Sequence, residues 1–169
     1  MDDRLRKLAI FLKSIGIQLV VENNEFDKPI QPAIYLGQRS GVDLGYRHTW
    51  NSFGLYCESL IFDFYKLLEF IDSGKDFENG VFNDSEIESL KKVSEAIKVP
   101  GNVEITFKLW LDLLASIDFW IKVGGKNWNW SKVNLKSIMT EFSTLDDEVF
   151  EKAKESLEKI DANLYNHKK

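Results

Sequence analysis

Two segments of this chain, residues 51–72 and 103–123, are apolar on almost every side when wound as helices. In the first, Ser59, Asp63, Lys66 and the run from Glu69 to Ser73 mark a narrow polar stripe; in the second, the charged positions are Glu104, Lys108, Asp112, Asp118 and Lys122. Helices of this kind must be covered by other helices over most of their surface. The expected architecture is therefore a mainly α, compact helical bundle with these two helices at its centre.

Other segments supply the covering layer. Leu5, Leu8, Leu12, Ile15 and Leu19 recur at steps of three and four, with Asp2 or Asp3 available as the cap. Ser85 and Glu88 have the spacing of a capping box ahead of Ile87, Leu90, Val93 and Ile97, and Pro100-Gly101 stops that helix. Glu104 with Lys108 and Asp118 with Lys122 read as helix-supporting surface pairs, and Gly124-Gly125 ends the second apolar segment. Ser131 is the expected cap of a short helix over Val133, Ile138, Met139 and Phe142. Thr144, three residues before Asp147, is the expected cap of a last helix with Phe150, Ala153, Leu157, Ile160 and Leu164 on one face. That makes about six helices in a single domain spanning 1–169.

Residues 23–49 are the exception, since a 27-residue connection is long for a compact domain. Gly37, Gly41 and Gly45 among alternating apolar residues suggest a small β-hairpin there.

Charge is distributed unevenly. From Glu69 to Glu88 seven carboxylates face one base, Lys75, a net −6 in a chain whose total is −5. Phe77 and Phe82 lie in the same stretch. An EF-hand does not fit, because placing Gly80 sixth puts Lys75 first and Phe77 third, where oxygen ligands belong. With a pI near 5.2 and scattered basic residues, the chain lacks the footprint of a direct nucleic-acid binder. Its opening, MDDRLRKLAIFLK, has neither the pattern of a signal peptide nor that of a membrane span, and the lone Cys57 favours a reducing, cytoplasmic setting.

No catalytic or cofactor signature emerges. Cys57 falls in a buried-helix pattern, only His48 and His167 are present, and no Cys or His stands at metal-ligand spacing, so no catalytic residue, metal or cofactor is expected. What the sequence offers instead is material for a protein-binding surface. The expected contacts are Asp72, Asp76, Phe77, Glu78, Phe82, Asp84 and Glu86, with Trp128 and Trp130 projecting to one side of an extended connection. The expected partner is a basic protein, and the most concrete version is a bacterial immunity protein that neutralises a toxin such as a nuclease. Two alternatives belong to other classes. Arg39, Tyr46, Arg47 and His48 of the long connection could hold a small anionic ligand or an enzymatic site. The Trp128 and Trp130 surface could instead drive self-association.

Overall fold

The computed structural model describes residues 2–20, 29–75 and 81–165. Among them are seven α-helices and one two-stranded antiparallel sheet: α1 Asp3–Ser14, α2 Ile30–Ser40, β1 Thr49–Asn51, β2 Gly54–Tyr56, α3 Glu58–Asp72, α4 Asp84–Ala96, α5 Phe107–Lys122, α6 Trp128–Ile138 and α7 Asp147–Ile160, with a 3-10 turn at Thr140–Phe142 between the last two. The mainly helical bundle with a small hairpin is as the sequence pattern predicts. Its interior arrangement differs.

α5 lies at the centre, as expected. Trp110, Leu111, Leu113, Leu114, Ala115, Ile117 and even Asp118 are shut off from solvent, and α2, α6 and α7 pack around it. Its central companion, however, is α2, a helix from within the long connection where a hairpin was expected. Residues 32–37 of α2 are all buried, and it packs on both α5 and α4. Two prolines and a glycine disguise this helix. Pro29 sits at its cap position and Pro32 in its first turn, where no intrahelical N–H bond is lost. Gly37 is required by close packing, because a methyl group there would overlap the Phe11 ring of α1. Gly41 then ends α2 in the left-handed region, φ +113°, with the Val42 N–H donating to the Gly37 carbonyl at 3.0 Å.

The hairpin lies further along the chain, at 49–56, in the register Thr49 to Tyr56, Trp50 to Leu55 and Asn51 to Gly54. Its loop is fixed by the Asn51 side chain, which accepts from the Phe53 N–H at 2.8 Å, and by Gly54 at φ +105°. Trp50 anchors it to α5, stacking on Phe119 at 5.7 Å and meeting Trp120 edge-on at 5.3 Å. The hairpin shortens the first apolar segment, so α3 begins at Glu58. α3 is peripheral: Leu60, Phe64, Leu67 and Leu68 face inward, while Phe62 and Tyr65 are exposed.

Several caps fall beside their expected positions. Asn83 and Glu86, in place of Ser85 and Glu88, form the capping box of α4. Asn127 caps α6, leaving Ser131 buried inside it, and Asp146 caps α7 in place of Thr144. Asp2 is the cap of α1. Glu104 precedes α5, so Lys108 pairs with Asp112, at 3.3 Å.

Candidate functional sites

The acidic stretch is divided by its local structure. Asp76, Phe77 and Glu78 lie outside the described residues. Asp72 ends α3 and Asp84 begins α4; both are exposed, as is Glu69, and none of the three makes an ion pair with a described residue. Glu86 points the other way and is 5% exposed. Its Oε1 accepts from Lys7 Nζ of α1 at 2.9 Å and from the Asp43 N–H at 3.4 Å, while Oε2 accepts from the Asn83 N–H at 3.1 Å. Burial alone would raise this carboxyl, but the Lys7 ammonium and the backbone donors outweigh burial and hold it below the usual range. Expected as a partner contact, Glu86 is instead an internal tie joining α1, the backbone at Asp43 and α4. Phe82 is also partly withdrawn, packed against the core with Lys7 Nζ 5.8 Å above its ring.

Trp128 and Trp130 occupy the first turn of α6, so they stand about 200° apart and do not share a side. Trp128 packs against Tyr165, at 5.7 Å between centroids, and Phe150, at 6.5 Å. Trp130 meets Trp120 at 5.2 Å. Both are half-buried, and Lys154 and Lys126 lie over their rings. They close the bundle on two sides; the shared binding face expected from an extended chain is not formed.

Arg39, Tyr46, Arg47 and His48 do come together, around a hollow of about 290 Å³ also lined by Gln38 and Phe119. Arg39, at the end of α2, holds Asp118 of α5 with two bonds, Nε at 2.7 Å and Nη2 at 3.2 Å, and reaches Asp161 at 3.0 Å. Tyr35 donates to the same Asp118 carboxylate at 2.6 Å. Asp118 is thus an interior residue, and the expected surface pair with Lys122 is replaced by a buried bidentate one. Burial works against the charge on Arg39, yet its two carboxylate partners outweigh burial and raise its pKa. The same contact with Arg39 holds the Asp161 carboxyl below its ordinary range despite burial.

Tyr46 is fixed in three ways. Its backbone exchanges two hydrogen bonds with the Gln38 amide, its hydroxyl donates to Asp63 at 2.9 Å, and the Arg4 guanidinium lies 4.2 Å over its ring. Both nitrogens of the His48 ring are buried without a hydrogen-bond partner among the described residues, and the ring meets Tyr35 edge-on at 5.7 Å. Burial lowers its pKa to about 4; a weaker opposing pull from the Gln31 backbone falls short of hydrogen-bond geometry. Arg47 is exposed and forms no ion pair with a described residue.

A larger hollow, about 640 Å³, lies between the hairpin and α5, and the sequence did not reveal it. Its charged groups are Lys108 and Asp112 of α5 and Glu141 on the 3-10 turn; Ser116, four residues beyond Asp112 on the same face of α5, lines it with Gln31 and Asn51. Its walls include Phe53, Tyr56 and Phe142. The Gln31 amide donates to the Cys57 carbonyl and accepts from the Cys57 N–H, both at 3.0 Å, which fixes the hairpin's outgoing end on α2. The sequence signal was the Asn51-Ser52-Phe53-Gly54 turn, hidden within an otherwise helical apolar run.

Among the described residues no three His, Cys, Asp or Glu side chains gather as a metal site, and no helix is long and apolar enough to cross a membrane. Comparison with protein-family models, curated proteins and solved structures gave no match.

Proposed function

We propose that the chain is a protein-binding module for a basic partner and that its role is inhibitory, in the manner of a bacterial immunity protein holding a toxin such as a nuclease. The observation that carries this reading is the state of the carboxylates at the end of α3 and the start of α4. Glu69 and Asp72 at the end of α3 and Asp84 at the start of α4 are exposed and form no ion pair with a described residue, while Glu86 fixes the start of α4 through Lys7 and Asn83. Exposed negative charge attracts an oppositely charged protein and aligns it, and a surface that imitates a polyanion suits a partner that binds phosphates. The test is capture of the partner by the tagged protein from its own organism at low and high salt. The expected partner is basic, is released by salt and loses its activity on binding. Glu69→Lys with Asp72→Lys is expected to weaken capture at least about tenfold. Unchanged retention by this variant would overturn the reading.

A second reading rests on the convergence of Arg39, Tyr46, Arg47 and His48 around one hollow. Arg39 is committed to Asp118 and Asp161, so Arg47 is the side chain left to hold an anion there. Stabilisation by phosphate or citrate that disappears in Arg47→Ala would favour this second site.

A further inference from the structure

α5 has more buried residues than any other described helix, yet three of its polar residues, Lys108, Asp112 and Ser116, form one stripe. A stripe open to water would need no explanation. This one runs inward beneath the hairpin, for Lys108 is 45% exposed, Asp112 29% and Ser116 only 4%. The groove above it carries two carboxylates, Asp112 and Glu141, against one ammonium, Lys108, so its net charge is −1. Lys108 is a loose counterion: it reaches Asp112 at 3.3 Å from a half-exposed position and is free to swing into water. Burial leaves the Asp112 carboxyl raised despite Lys108, and Glu141 is near enough to add to the rise, so a second cation at this carboxylate has something to gain. The aromatic walls suit the same guest, since ring faces attract ammonium groups and receive apolar bodies. A volume of about 640 Å³ falls within the range of small-molecule sites.

We infer that the groove between the hairpin and α5 binds a small organic ammonium, its apolar body against Phe53 and Tyr56 and its charged nitrogen at Asp112. This site involves none of the carboxylates at the end of α3 and the start of α4, so it stands or falls separately from the inhibitory reading.

Three probes of nearly one shape test it: 2-phenylethylamine, the neutral 2-phenylethanol and the anionic 3-phenylpropionate, each titrated into the full-length ¹⁵N-labelled protein. The amine is expected to shift the Gly54, Leu55 and Ser116 amides saturably and to bind about tenfold tighter than the alcohol, the size of one charge-assisted contact. Asp112→Asn is expected to abolish most of that advantage while leaving the rest of the spectrum in place. If that variant fails to fold, Glu141→Gln on the exposed 3-10 turn takes its place, with a severalfold loss expected. The inference is overturned if the alcohol or the acid binds as well as the amine. It is overturned equally if the shifts scatter away from the groove, or if the amine keeps its full advantage in the folded variant.

Discussion

α3 and α5 look alike in the sequence, each apolar nearly all round, yet the fold treats them oppositely. α5 is enclosed so fully that a carboxylate, Asp118, lies at zero exposure, whereas α3 leaves Phe62 60% exposed. Apolar composition shows that a helix needs a cover without showing whether its own chain provides it. The buried charge of α5 is feasible only because Arg39 and Tyr35 arrive from α2 with matching donors.

Breaking that arrangement gives the largest expected effect. Asp118→Ala strands the Tyr35 hydroxyl, leaves Arg39 with Asp161 as its one remaining carboxylate partner among the described residues, and is expected to cost about 3–5 kcal/mol in urea unfolding. A loss below 1 kcal/mol would mean that α5 is not the enclosed helix described. Next come the inward faces of the two helices. Leu114→Ala in α5 and Leu67→Ala in α3 remove side chains of zero exposure, and each is expected to cost about 2–5 kcal/mol. Similar losses from both would place the contrast in the outer faces alone.

His48 supplies a pH-dependent test beside the α2–α5 contact. The unfolded imidazole takes up a proton near pH 6.5, while the folded one resists until about 4. Between those values the unfolded chain holds the extra proton, so stability is full above about 6.5 and declines as pH falls toward 4. The decline is expected to reach about 2–3 kcal/mol and to vanish in His48→Gln, measured by denaturant unfolding across the window. A flat profile in the parent protein would show that the ring is solvated. The smallest effect is expected on the outer face of α3, where Phe62→Ser should change stability by no more than about 0.5 kcal/mol. A larger loss would mean that part of the chain covers this face after all.

The contrast also marks how far the sequence could be read. Helical periodicity points to α1, α4 and α7, because their inward residues recur at helical spacing in uninterrupted runs, and α5 shows as a nearly all-apolar run. α2 was hidden because Pro29, Pro32 and Gly37 are unfavourable in most helix positions and acceptable in those they occupy. The fit of Gly37 depends on Phe11, 26 positions earlier, which no local window includes. Asp118 was misread for the same reason: four residues from Lys122 it has a local partner on paper, and its real partner is 79 residues away. Of the candidate sites, the residues around Arg39 and His48 were found through their side-chain chemistry. The groove under the hairpin was missed, since its walls come from 53–56, 108–116 and 139–142 and only the fold unites them.

One feature of the aromatic packing carries an optical consequence. Trp50 of the hairpin, Trp120 of α5 and Trp130 of α6 form a relay in which neighbouring ring centroids are 5.3 and 5.2 Å apart. Indoles at such separations share their excited states, so the near-ultraviolet dichroism of this protein is expected to carry a coupled signal that no isolated tryptophan produces. The signal requires the hairpin to be seated on α5. Its collapse ahead of the far-ultraviolet helix signal would register the hairpin lifting away while the bundle remains intact, giving the protein an intrinsic gauge of the hairpin that roofs the groove over α5.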